Sequence, residues 1–169
     1  MGNGYSFKEY SKENMARVFG RSLPISFKQS IEICNFIRNK DLNYAKNILN
    51  RVINQKQAMP FRRFNTNIGH KKNIASGRYP KKASNEILNL INHVEANAQF
   101  KGLNTANLVI RHINANKASK VIHSGRKRSR ESKRTNIEIV VQEKTVGNKI
   151  KKVKGPSKEI KENLKTNKK

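Results

Sequence analysis

The sequence predicts an α+β fold: a small antiparallel-type sheet packed on three helices, with a long protruding β-hairpin and a basic C-terminal tail. Three observations carry this. A strand-like segment precedes three stretches whose apolar residues recur at helical spacing. Two β-rich segments follow, separated by a long polar run. Lys and Arg total 37 against 11 Asp and Glu, and the basic residues crowd the aperiodic segments. Strands and helices segregated along the chain in this way build a sheet with helices on one face.

Residues 1–16 are polar and read as an extended or frayed N-terminal arm. Arg17 to Ile25 has strand-like content, which Gly20 and Pro24 weaken; a strand with Pro belongs on a sheet edge or at its end. A first helix is expected from Ser26, where Ser26 and Gln29 match a capping box. Its apolar stripe is Phe27, Ile31, Cys34 and Ile37. A second helix starts near Asp41, a suitable N-cap, and carries Leu42, Ala45, Leu49, Val52 and Ile53 on one face. The stretch from Ala58 to Tyr79, with Pro60, Gly69 and Gly77, reads as a loop. The third helix begins near Pro80, buries Ala83, Ile87, Leu90, Ile91, Val94 and Ala98, and stops at Gly102. Leu108 to Ile113 and Ile137 to Val141 are the two late strands. They bound an arm of about residues 108–141 with a polar tip at 118–134. Residues 17–144 form the domain and 145–169 a Lys-rich tail expected to be disordered when free.

Charge narrows the function. The 169 residues carry a net charge of +26 and only 35% of them are hydrophobic. Such a chain repels itself and gains by meeting a polyanion, whose counterions it releases. No stretch approaches the roughly 20 apolar residues of a membrane span, and the opening residues lack the apolar run of a secretory signal. The single cysteine, Cys34, excludes a disulfide framework and a multi-thiolate zinc site within one chain and fits a reducing compartment.

No constellation for catalysis stands out. His70, His93, His112 and His123 lack the spacing of a metal pair on one helix, and neither a phosphate-cradling Gly loop nor a nucleophile elbow occurs. Glu32, Glu86 and Glu95 fall on the polar faces of the expected helices, where solvated or ion-paired carboxylates are the rule. Cys34 lies in an apolar stripe and reads as core. No metal, cofactor or small-molecule substrate is expected.

The positive signal is in the basic clusters. From Met59 to Lys82 there are seven basic residues and no acidic one: Arg62, Arg63, Lys71, Lys72, Arg78, Lys81 and Lys82. Phe61, Phe64 and Tyr79 lie among them. Guanidinium forks grip phosphate and flat side chains stack on bases, so this mixture suits RNA. A second cluster comprises Arg126, Lys127, Arg128, Arg130, Lys133 and Arg134 at the tip of the arm, with Lys117 and Lys120 at its base. A solvated charge run is the bland alternative, but so many cations without balancing acids gain little from water alone. Met1-Gly2-Asn3-Gly4-Tyr5-Ser6 also matches the N-myristoylation pattern, a short motif that is common by chance.

Several motifs in fixed order then carry a resemblance. Gln55-Lys56-Gln57-Ala58-Met59-Pro60-Phe61-Arg62-Arg63-Phe64-Asn65 comes first, then Gly77-Arg78-Tyr79-Pro80-Lys81-Lys82-Ala83. Glu95-Ala96-Asn97-Ala98 with Lys101-Gly102-Leu103 follows, then Leu108-Val109-Ile110 and His112-Ile113 with Asn116-Lys117-Ala118. From about Arg17 to Lys144 the chain resembles the universal large-subunit ribosomal protein twenty-two family, number seventeen in the eukaryotic cytosolic series, and the eukaryotic branch looks closest. It departs in a shorter Gly69–Gly77 loop without Trp and a shorter tip, Val121 to Asn136, without the usual aromatic-and-proline pattern.

The resemblance implies a small sheet on three helices with a long β-hairpin. It also implies a non-catalytic constituent of the cytoplasmic ribosome that binds large-subunit rRNA near the peptide exit tunnel. Its partners would be that RNA and neighbouring ribosomal proteins. The hairpin would reach the tunnel wall and present Ser124, Gly125, Arg126, Lys127 and Arg128 near the nascent peptide. No membrane partner is expected. The competing reading is a free-standing basic RNA- or DNA-binding architectural protein.

Overall fold

The computed structural model describes residues 5–126 and 128–144. Lys127, Gly2 of the myristoylation pattern and the tail from Thr145 lie outside the described residues. The main sheet has three strands: β1 (Met15–Leu23), β5 (Leu108–Lys117) and β8 (Thr135–Glu143). Their order is β1-β8-β5, antiparallel throughout. The most buried strand, β8, takes the centre, where both faces are covered. β1 is an edge strand that contains Gly20 and ends at Leu23, so Pro24 follows the strand and withholds no ladder N–H.

Helices α1 (Phe27–Ile37), α2 (Leu42–Ile53) and α3 (Lys81–Phe100) pack on one face. Ile137, Ile139 and Val141 of β8 alternate into their core. Gly20 marks the closest approach of strand to helix: a Cβ there would lie 2.8 Å from Leu90 Cδ1. α3 ends in a Schellman turn, with Leu103 N–H bonded to Ala98 O and Gly102 N–H to Gln99 O, and Gly102 at φ +75°.

Several local expectations need correction. The buried face of α1 is Ser30, Ile33, Cys34 and Ile37, with Ile31 at its margin. The capping box is not formed: Ser26 is the N-cap, but its hydroxyl makes no capping bond, and Ser26 and Gln29 face a groove instead. Asp41 is the N-cap residue of α2, as expected, but its carboxylate makes no capping bond and accepts from Lys144 Nζ at 2.6 Å instead. The segment expected as a bare loop holds a small sheet in the order β2-β4-β3, from β2 (Met59–Pro60), β3 (His70–Lys71) and β4 (Ala75–Arg78). The first strand begins at Met15, two residues before the expected boundary.

The N-terminal segment is not frayed where it is described. Residues 5–10 lie on the sheet face opposite the helices, because that face carries groups that need cover. The Tyr5 ring meets Phe19 edge-on at 5.7 Å, and Arg17 lies 4.3 Å and 4.4 Å from the ring centres of Tyr5 and Tyr10. A β-bulge between Ile110 and His112 reverses the strand's alternation, so Ile110 and Ile113 enter the core while His112 faces outward beside Glu138. Ser6 bonds Glu138 through both its hydroxyl and its N–H.

Between β5 and β8 the chain makes a short ribbon of β6 (Val121–Ile122) and β7 (Glu131–Ser132). Its base stays near the body: Arg134 Nη1 reaches Ser22 O at 3.4 Å, and Thr135 Oγ1 donates to Ile25 O at 3.0 Å.

Candidate nucleic-acid interface

The candidate interface is organised by an acid. Glu32 is only 3% exposed, so the solvated or ion-paired carboxylate expected on α1 is corrected to a buried structural one. Its Oε1 accepts the N–H groups of Arg63 (2.9 Å) and Phe64 (2.8 Å), and its Oε2 accepts that of Arg62 (3.2 Å). Charge-assisted bonds of this kind offset the burial of the carboxylate. They also tie the backbone of the basic loop to α1 and leave the Arg62 and Arg63 side chains exposed. Glu95 does form the expected ion pair, with Lys46.

Next to this anchor is an open depression of about 310 Å³. Phe61, Phe64 and Ile68 provide its apolar part. Four cations from separate segments surround it: Lys28 of α1, Arg63 and Arg78 of the loop and small sheet, and Lys133 at the base of the arm. No acidic side chain is among the described residues lining it. Lys28 Nζ and Arg63 Cζ lie 5.6 Å and 5.4 Å from the centre of the Phe64 ring. Ser26, Gln29 and Lys133 are shared with a second depression, of about 450 Å³, which Lys82, Arg130 and Arg134 also line. The two make one basic groove past the start of α1. Its acid, Glu131, is paired with Lys120.

The structure thus brings together Arg63, Arg78, Lys82, Arg130, Lys133 and Arg134. Arg62 faces away, towards Lys40 and Pro60. Lys71 lies 5.6 Å from the Tyr79 ring centre, and Lys72 is exposed beside it. Lys81, Lys117, Ser124, Gly125, Arg126 and Arg128 are exposed and outside the groove. Lys28 and Glu32 were not legible as site residues. They are thirty or more residues from the loop they serve; the one available signal is that Glu32 is the sole acid of α1.

Other polar clusters do not make a catalytic centre. Burial pushes the Cys34 thiol up to about 12, so it is protonated and inert at neutral pH. His112 Nε2 contacts both Ser6 Oγ (3.1 Å) and Glu138 Oε1 (3.0 Å), so the acid and the hydroxyl share one ring nitrogen and no relay across the imidazole is built. Among the described residues no group of three His, Cys, Asp or Glu is placed to hold a metal.

Comparison with known proteins supplies the context for this basic groove. The family model described as ribosomal protein L22p/L17e matches residues 18–142. The chain belongs to the L22p/L17e family of ribosomal proteins. The large ribosomal subunit protein uL22 of Archaeoglobus fulgidus is 36% identical over 147 residues, covering 82% of this chain and 94% of that protein. That of Methanopyrus kandleri is 40% identical over 147 residues, covering 81% and 92%. That of Methanococcus aeolicus is 45% identical over 112 residues, covering 64% and 73%. All three relatives are archaeal, so the eukaryotic affinity stays an expectation. As an L22p/L17e protein the chain is a structural constituent of the ribosome and not an enzyme.

Proposed function

We propose that the chain assembles into the large ribosomal subunit of cytoplasmic ribosomes and binds large-subunit rRNA near the peptide exit tunnel. The groove past the start of α1 is the principal contact, and the arm reaches towards the tunnel wall. One observation carries this reading: Lys28, Arg63, Arg78 and Lys133, from three separate parts of the chain, converge on a depression with aromatic lining and no acid among its described residues. Folding gathers these like charges at an electrostatic cost that a phosphate backbone reverses. The exposed Lys71, Lys72, Lys81, Lys117, Arg126 and Arg128 extend the positive surface on either side, with neighbouring ribosomal proteins as further partners. Ser124, Gly125 and Arg126 sit at the ribbon's turn, where the nascent peptide would pass.

Co-sedimentation tests this. The protein is expected in the large-subunit fractions of a sucrose gradient. A variant with Arg63→Ala, Arg78→Ala and Lys133→Ala should leave those fractions at lower salt than the wild type. A wild-type protein that remains at the top of the gradient at low salt overturns the reading.

A further inference from the structure

The depression next to the Glu32 anchor sets Phe61, Phe64 and Ile68 among its cations, an apolar part that contact with phosphate alone does not require. We propose that it receives one unpaired RNA nucleotide, its base against Phe64 and its flanking phosphates on Lys28, Arg63, Arg78 and Lys133. This rests on the RNA-binding reading above and specifies which form of RNA the site takes.

Size is the first argument. The depression holds about 310 Å³, the low end of the roughly 300–1,000 Å³ typical of small-ligand sites. A duplex presents a broad, shallow groove and a phosphate backbone, and it cannot put a paired base into a recess. An extruded base can enter.

The lining is the second. Phosphates ask only for cations and N–H donors. Here the interior is Phe61, which is 5% exposed, with Phe64 and Ile68 partly exposed beside it. A base gains by stacking on an aromatic ring or a guanidinium plane. Phe64 with Arg63 at 5.4 Å offers both on adjacent residues. The cations stand around Phe61, Phe64 and Ile68, where the sugar–phosphate links of an extruded nucleotide would run.

Preorganisation is the third. Three N–H bonds to Glu32 hold Arg62, Arg63 and Phe64 at the backbone. The ring is therefore presented from a fixed platform, and little ordering is left for the moment of binding. Ser26, Gln29 and Thr66 are the neutral polar side chains able to meet base edges in the depression. With so few directed donors and acceptors, the site selects for an unpaired base more than for its identity.

The test uses the full chain and two RNA hairpins that differ by a single bulged nucleotide. Dissociation constants are measured across a salt series for the wild type, Phe64→Leu, Phe64→Tyr and Lys133→Ala. The bulged hairpin is expected to bind about tenfold tighter than the fully paired one, as loss or gain of one stacked base implies. Phe64→Leu should erase that preference and leave the salt slope unchanged, while Phe64→Tyr keeps both. Lys133→Ala should lower the salt slope by about 0.7–0.9 for either hairpin. Equal affinity for the two hairpins, with a steep salt slope, overturns the nucleotide site but leaves the RNA-binding reading intact. A bulge preference that survives Phe64→Leu also overturns it, because the base then sits elsewhere. Failure of both hairpins to bind with any salt dependence sinks the RNA-binding reading itself.

Discussion

At the scale of single residues, Glu32 ties the basic loop to α1. A buried carboxylate is costly unless its oxygens are met by donors, and here three consecutive backbone N–H groups meet them. Removing the acceptor strands those donors in a partly buried loop, and each buried donor left unsatisfied costs about 1–3 kcal/mol. Glu32→Ala is therefore expected to lower the urea midpoint and to speed amide exchange at Arg62, Arg63 and Phe64 above that of neighbouring residues. Glu32→Gln retains one acceptor oxygen and should fall between. Unchanged exchange at the three amides in the alanine variant would mean that the loop is held by something else.

At the scale of elements, the N-terminal segment and the sheet are joined through Glu138. Burial pushes this carboxyl up. The Ser6 hydroxyl, His112 and the Ser6 N–H pull it down and outweigh burial, so its folded value lies below the ordinary glutamate range. A depressed carboxyl stabilises the fold above its unfolded value, about 4.3. That contribution disappears as pH falls through the folded value. The stability gap between wild type and Glu138→Gln should accordingly be open at pH 7 and close on acidification below about pH 4. Denaturant midpoints measured from pH 7 to pH 3 read this directly, and a gap that stays constant over that range contradicts it.

The strap containing Ser6 was hard to see in the sequence for a physical reason. Its contacts are pairwise and distant, and Ser6 and Glu138 are 132 residues apart. Periodicity reports burial against a neighbouring layer, which is why the stripes of α2 and α3 and the apolar run of β8 were legible. It carries no trace of a polar segment lying across a sheet. The small sheet from Met59 to Arg78 was missed for a related reason, since strands of two to four residues are too short for any alternation to show. The basic residues of the groove were evident from composition. Their convergence was not, because it depends on the antiparallel return of β8 bringing Lys133 back beside α1.

At the scale of the whole molecule, the core and the arm differ in what they bury. The pairing of β5 with β8 runs from Leu108↔Glu143 to Lys117↔Thr135, and Ile113 and Ile139 face each other within the core. The ribbon beyond it exposes Val121 and Ile122, pairs Lys120 with Glu131 and presents Arg126 and Arg128 to solvent. Its removal takes little apolar area out of the core, so stability should hardly change, whereas the charge available to RNA falls. A variant lacking Val121 to Ser132, closed by a short Gly-rich turn, is expected to keep the wild-type denaturant midpoint. It should also keep slow amide exchange at Ile113 and Ile139. Against large-subunit RNA its affinity should depend less steeply on salt. The deletion removes Arg126, Lys127, Arg128 and Arg130, so the slope should drop by up to about 3.6 if every one of them meets a phosphate. Of the groove's cations only Arg130 is lost, while Lys28, Arg63, Arg78, Lys82, Lys133 and Arg134 are retained, so binding persists at low salt. Loss of the core's exchange protection would show that the ribbon is part of the folding unit. An unaltered salt slope would show that the arm meets something other than RNA, and a map of large subunits carrying the deletion would then reveal where it lies.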